Sequence, residues 1–152
     1  MLLYATYCSR DKSAVPGTLP AIERYRSERI QAVFEAASAA GAGFRILSGR
    51  FGLLEATSEI PLYDHLLTAE EVAEMTKKVA GQLRQLEPGQ VVFFSRTVQE
   101  DPRVAPYRAT IMAACKRLGI AITMVDMTGK VTPPVDNLSI RDTTVGESTE
   151  SD

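Results

Sequence analysis

The chain has no tryptophan, one histidine and two cysteines. No apolar run approaches the roughly 18 residues that a membrane crossing needs. A single histidine among scattered carboxylates leaves little to build a metal centre from, so neither a metal nor a cofactor is expected. Cys8 and Cys115 make no disulfide or zinc framework, and neither belongs to a Cys-x-x-Cys pair. They read as two small buried thiols, which suits a reducing cytoplasm. Gly-x-Gly-x-x-Gly is absent, as is the Gly-Lys-Ser/Thr ending of a P-loop, so those two phosphate-binding assignments fail. The net charge is only -2 and the pI near 5.5, which argues against a surface that is basic throughout for nucleic acid. A local cationic pocket remains open. The chain begins on a strand-like run with no charged n-region, apolar h-region or cleavage site, which points to a soluble, unexported protein.

What is present fits one ordinary domain: 152 residues, 45% hydrophobic and 24% charged. Leu2–Cys8 reads as a strand buried on both faces, followed by the polar, largely cationic loop Ser9–Ser13. After Pro16, Gly17 and Pro20, a helical period runs from Ala21 to about Ala40, with Ile22, Tyr25, Ile30, Val33, Phe34 and Ala37 on one face. On that helix Glu23 and Arg24 read as a solvated face, and the Arg24, Arg26, Arg29 run as a modest basic patch that is mostly solvated. Gly41 and Gly43 stop the helix, and Phe44–Leu47 is the second strand. A loop through Tyr63, Asp64 and His65 leads to a helix start at Thr68, with Glu71 in capping-box position. Val72, Met75, Val79, Leu83 and Leu86 repeat at helical spacing up to Pro88-Gly89. Val91–Phe94 is a third strand. A helix from about Pro106 to Leu118, burying Ile111, Met112, Cys115 and Leu118, leads to a fourth strand over Ile120–Val125.

The order β-α-β-α-β-α-β implies a Rossmann-like or flavodoxin-like, mainly parallel three-layer α/β domain of about four strands, over residues 1–128. Residues 129–152, rich in Ser, Thr and acids, read as an extended or disordered acidic tail. A homo-oligomer is left open.

Parallel strands put all their carboxyl ends on one sheet edge, where open α/β sheets bind ligands. Those ends read Cys8-Ser9-Arg10-Asp11-Lys12, Ser48-Gly49-Arg50 and Ser95-Arg96-Thr97. Three serines closely joined to arginines suggest an anion site, with phosphate the commonest ligand of that description. The plainer reading is that such residues are common in strand-to-helix loops, where they cap helices and pair with acids. Asp64-His65 could form an acid/base pair, although adjacent side chains usually diverge and a lone His before a helix is often a capping residue. Tyr63 and Asp64 are candidates to line the pocket. Tyr25 faces inward.

Taken together, Cys8-Ser9-x-x-Lys12, Pro20-Ala21-x-x-x-Tyr25, Leu47-Ser48-Gly49-Arg50-Phe51-Gly52-Leu53 and Pro61-Leu62-Tyr63-Asp64 resemble a bacterial and phage Rossmann-like family. Its members carry Cys-Ser-x-x-Lys, Leu-Ser-Ala-Lys-Tyr-Gly-Leu and Pro-Tyr-Asp motifs. That family is similar in pattern to the peroxide-stress protein YaaA and to glycosidase-like domains near tRNA-guanine transglycosylases. Arg50-Phe51 stands where the family has Lys-Tyr, which keeps a cation and loses a phenol. The resemblance implies a site of Cys8, Ser9, Lys12, Tyr25, Ser48, Arg50, Tyr63 and Asp64. It also implies, by fold-level analogy, nucleotide or nucleoside chemistry such as cleavage or exchange of an N-glycosidic bond. On that expectation Asp64, Ser48 and Tyr63 are catalytic. Cys8, Ser9, Arg10, Lys12, Tyr25, Gly49, Arg50, His65, Ser95 and Arg96 bind an anionic small molecule. The alternatives are a non-catalytic nucleotide-sensing or protein-interaction module, and a stress-related DNA-binding protein, which the acidic balance disfavours.

Overall fold

The computed structural model describes residues 1–127. The expected acidic tail at 129–152 falls outside them. Five strands form one sheet: β1 (Leu2–Tyr7), β3 (Gly43–Ser48), β4 (Gly52–Leu54), β6 (Gln90–Ser95) and β7 (Ala121–Asp126). Their spatial order is β4-β3-β1-β6-β7. β1 pairs in parallel with β3 on one side and β6 on the other, and β6 pairs in parallel with β7. Central position explains the composition of β1, which is buried from Leu3 to Tyr7 and so shows no alternation.

The helices follow from the crossovers. From β1 the chain moves to β3 through α2 (Glu28–Ala40), then returns across the sheet to β6 through α3 (Val72–Leu86). Right-handed crossovers in opposite directions place those helices on opposite faces. α4 (Ala105–Leu118) joins β6 to β7 in the same direction as the second crossover, so it shares the face of α3 and packs against it. α2 packs on β1 and β3. The result is a three-layer, Rossmann-like α/β fold. Its core is centred on Leu3, Ile46, Leu47, Phe93 and Phe94, with Val33, Val79 and Ile111 brought in by the helices. Among the described residues no helix is long and apolar enough to cross a membrane.

The structure differs from the expected pattern in five places. The sheet has five strands instead of about four. Gly52, at φ 77°, lets the chain double back so that Leu53 and Leu54 pair antiparallel with Leu47 and Ile46. β2 (Leu19–Pro20) and β5 (Glu59–Ile60) form a separate two-stranded antiparallel ribbon. The long helix is broken into α1 (Ala21–Arg24) and α2, because Tyr25 is extended and the Ser27 hydroxyl caps α2 by accepting from the Ile30 N–H. A break of this kind preserves the apolar face, which is why the periodicity does not register it. Met112 is 46% exposed, not buried, since Ile111 and Cys115 already face the sheet.

The fifth difference concerns charge. Arg24 is fully buried and Arg29 is 7% exposed, so two thirds of the expected solvated arginine run lies inside. Arg24 Nη1 donates to the carbonyls of Ser13 (2.6 Å) and Val15 (3.0 Å), and Nη2 to those of Gly17 (2.6 Å) and Ile60 (3.4 Å). One side chain therefore holds the loop after Lys12 against the β2–β5 ribbon.

Edge strand β4 is completed by a side chain. Gln82 of α3 accepts from the Leu53 N–H at 2.7 Å and donates to the carbonyls of Leu53 (3.2 Å) and Phe51 (3.4 Å). Replacing Gln82 by alanine leaves these groups to water, at a cost of about 1–2 kcal/mol. Urea unfolding should show that loss, and hydrogen exchange should show faster exchange at the Leu53 amide. An unchanged Leu53 exchange rate would contradict this role.

Candidate functional site

The carboxyl end of β3 delivers Ser48, which is fully buried. Its Oγ accepts from the backbone N–H of Arg50 (3.0 Å) and Phe51 (3.1 Å) and lies 2.9 Å from the Tyr63 hydroxyl. A hydroxyl oxygen has two lone pairs and one proton. With both lone pairs taken by backbone donors, Ser48 donates its proton to Tyr63. Tyr63 also meets the Tyr25 hydroxyl directly. The three hydroxyls form one connected chain, from Ser48 through Tyr63 to Tyr25.

Burial is the main influence on the phenols here. It pushes Tyr63 up to about 12, and Tyr25 and Tyr107 further up, with the neighbouring Cys8 adding to all three. Every one of these phenols is neutral at physiological pH, so the cluster supplies polar contacts without charge. Tyr107, from the first turn of α4, accepts from the Leu67 N–H at 3.1 Å and from the Cys8 thiol at 3.5 Å. It thereby ties the end of β1 to the loop that follows Tyr63.

Gly49 is required by close approach. A Cβ there would stand 2.8 Å from the Tyr107 hydroxyl and 3.0 Å from both the His65 carbonyl oxygen and the Leu67 nitrogen. The strand end, the 63–67 loop and α4 meet at a point where only hydrogen fits.

Charge enters from the rim. Lys12 is half-buried, bridged through its backbone to Tyr25, with Nζ 4.8 Å from the Tyr63 ring centroid and 5.8 Å from that of Tyr25. Such placement over ring faces is favourable for a cation. Arg50 is exposed, with its guanidinium 5.1 Å from the Phe51 ring. Arg10 is exposed beside them in sequence order of the edge. Among the described residues none of Arg10, Lys12 and Arg50 has an acidic partner.

The sequence candidates therefore divide. Cys8, Lys12, Tyr25, Ser48, Gly49 and Tyr63 come together at the β1–β3 end of the edge. Ser9 is engaged within its own loop, donating to the Asp11 carbonyl at 2.8 Å. Ser95 belongs to another arrangement: it accepts from Arg108 at 2.7 Å, and Arg108 also bonds Asp126. Arg96 lies 4.0 Å from Glu100. His65 is drawn away from the cluster to Glu71, at 2.9 Å. That carboxylate is held below its ordinary range chiefly by the Thr68 N–H, with His65 contributing. Asp64 is exposed and has no hydrogen bond or ion pair to any described residue. Among the described residues no three His, Cys, Asp or Glu side chains are grouped as a metal would require.

Two participants were not expected from the sequence, Tyr107 and Arg29. A signal existed for each: both stand in the first turn of a helix that leaves this same edge. No family model, curated protein or solved structure matches the chain.

Proposed function

We propose that this edge binds a phosphate-bearing small molecule, a nucleotide or nucleoside phosphate. The observation that carries the reading is Lys12, an ammonium without an acidic partner among the described residues, held over two neutral phenols beside the Ser48 turn. Arg50 and Arg10 flank it as further cations with no acidic partner among the described residues, on a sheet edge suited to ligands. Lys12 and Arg50 take the phosphate, and the buried phenols of Tyr63 and Tyr25 support the Lys12 ammonium from beneath. The two free, buried thiols suit a reducing, cytoplasmic setting.

Chemistry at an N-glycosidic bond follows if Asp64 turns its unpartnered carboxylate to the ligand. There it would stabilise a developing ribosyl cation, with Ser48 and Tyr63 positioning the sugar. A second reading, a nucleotide-sensing module without catalysis, is favoured by one observation: the single histidine is tied to Glu71 and supplies no base to the cluster.

Binding and turnover test these in sequence. Nucleotides, nucleosides and phosphosugars should be screened by thermal shift, where a ligand at a hundredfold its Kd adds about 2.7 kcal/mol. Lys12→Ala should weaken the best phosphate ligand by about tenfold, the loss of one charge-assisted contact of about 1.5 kcal/mol. Full affinity in Lys12→Ala, or silence across the panel, would overturn the binding reading. If a ligand is hydrolysed, Asp64→Asn should lose that activity while still binding. Equal turnover would sink the catalytic part alone.

A further inference from the structure

Arg29 is a buried charge with no ion-pair partner among the described residues, and the Asp101 carboxylate acts on it only from beyond ion-pair distance. It lies in the first turn of α2 with 7% of its surface exposed, and its guanidinium carbon is 3.6 Å from the Tyr7 ring centroid. Nη1 donates to Thr6 Oγ1 (2.6 Å) and to the Tyr7 carbonyl (2.6 Å), and Nη2 donates to the Cys8 carbonyl (3.2 Å). Thr6 Oγ1 in turn donates to the Phe94 carbonyl at 2.7 Å, so the guanidinium sits on the seam between β1 and β6. Every acceptor it meets is neutral, and among the described residues no carboxylate lies within ion-pair distance. Burying such an ion costs several kcal/mol, and arginine cannot escape the cost by losing its proton.

The seam has a particular position. From β1 the chain goes first to one side of the sheet and then to the other, so the carboxyl ends of β1 and β6 flank the topological switch point. Open α/β sheets bind their ligands in that crevice. We infer that Arg29 is the buried receptor for an anionic oxygen of the ligand, a phosphate or diphosphate group reaching from the Lys12–Ser48 rim into the β1–β6 crevice. The inference rests on the phosphate-binding reading above and extends it to a bidentate arginine behind the rim.

The structural alternative is that Arg29 merely closes strand-end carbonyls, as Arg24 closes loop carbonyls. The two differ. Arg24 is fully buried and its Nε is sealed without a partner. No Arg29 nitrogen is in that state, and its Nε–H and one Nη2–H are uncommitted to any described residue. A guanidinium with two donors still uncommitted can offer them as a fork to phosphate oxygens.

The test is a nitrogen-15 NMR titration of the full chain with inorganic pyrophosphate and, separately, with adenosine diphosphate. Two signals are read: the Arg29 Nε–Hε cross-peak and the backbone amides of Arg50 and Phe51. The expected result is that both move along one saturation curve. Movement with the nucleotide alone assigns the group to a nucleotide, and movement with both assigns it to phosphate whatever its carrier. If the Arg50 and Phe51 amides move and Arg29 does not, the rim reading stands and the role of Arg29 is overturned. If Arg29 moves alone, its role stands and the rim reading fails. If neither moves, both fall. Arg29→Lys keeps the charge and loses the fork, so it should bind whichever of these probes moved Arg29 about tenfold more weakly. Unaltered binding by a folded Arg29→Lys protein would also overturn the proposal, and should that variant not fold, the unsubstituted titration decides alone.

Discussion

Replacing Arg24 by alanine should lower folding stability by about 3 kcal/mol, the largest loss expected from any single truncation outside the apolar core. The substitution removes donors from four carbonyls at once: Ser13, Val15, Gly17 and Ile60. Orphaning a buried acceptor costs about 1–3 kcal/mol, but the segment from Ala14 to Thr18 is exposed, and water recovers part of the sum. For a chain of this size the melting temperature should fall by about 6–12 °C. Arg24→Lys should recover less than half, since a compact ammonium cannot span acceptors that a planar fork reaches from both ends. Urea unfolding with an unchanged m value is the measurement. A loss below about 0.5 kcal/mol would show that the loop holds itself. The consequence extends to the rim, because Ser13 N–H donates to the Arg24 carbonyl and Arg26 N–H to that of Asp11, so the same segment places Lys12.

Gly49→Ala should damage the site more than the fold. Its new methyl meets the Tyr107 hydroxyl at 2.8 Å, too close for any carbon, and backbone atoms of His65 and Leu67 at 3.0 Å. Tyr107 can rotate only by releasing the Leu67 N–H and Cys8. The 63–67 loop can yield only by carrying Tyr63 off Ser48. Overpacking of this kind costs about 1–3 kcal/mol. A nucleotide found in the thermal-shift screen should lose affinity by tenfold or more in Gly49→Ala. A variant that binds normally would show that the loop and Ser48 are not coupled through this contact.

Legibility in the sequence followed from how each feature is encoded. The parallel strands were readable because burial on both faces leaves unbroken apolar runs such as Val91–Phe94. The end of α2 was readable from Gly41, where the helix stops. Hidden were elements made by pairing across the chain. Leu53-Leu54 looks like loop until Gly52 folds it back on β3, and Tyr25 leaves the helix to bridge Lys12 without disturbing the helical period. At the site, Ser48, Tyr63, Tyr25, Cys8 and Lys12 were found as strand-end and motif residues. Arg24 and Arg29 were misjudged because arginine on a charged helix ordinarily points to water. Here backbone carbonyls of neighbouring segments take the place of acids, and a carbonyl leaves no mark in a sequence.

The Gln82 amide bears on association between copies of the chain. An edge strand with free N–H and C=O groups is a template on which another strand can build. At β4 those positions are already occupied by one primary amide, which offers both a donor and an acceptor as an incoming backbone would. Growth of the sheet from that side requires pulling Gln82 out of register first. The β4 margin is thus closed to β-augmentation by a side chain from the layer above it.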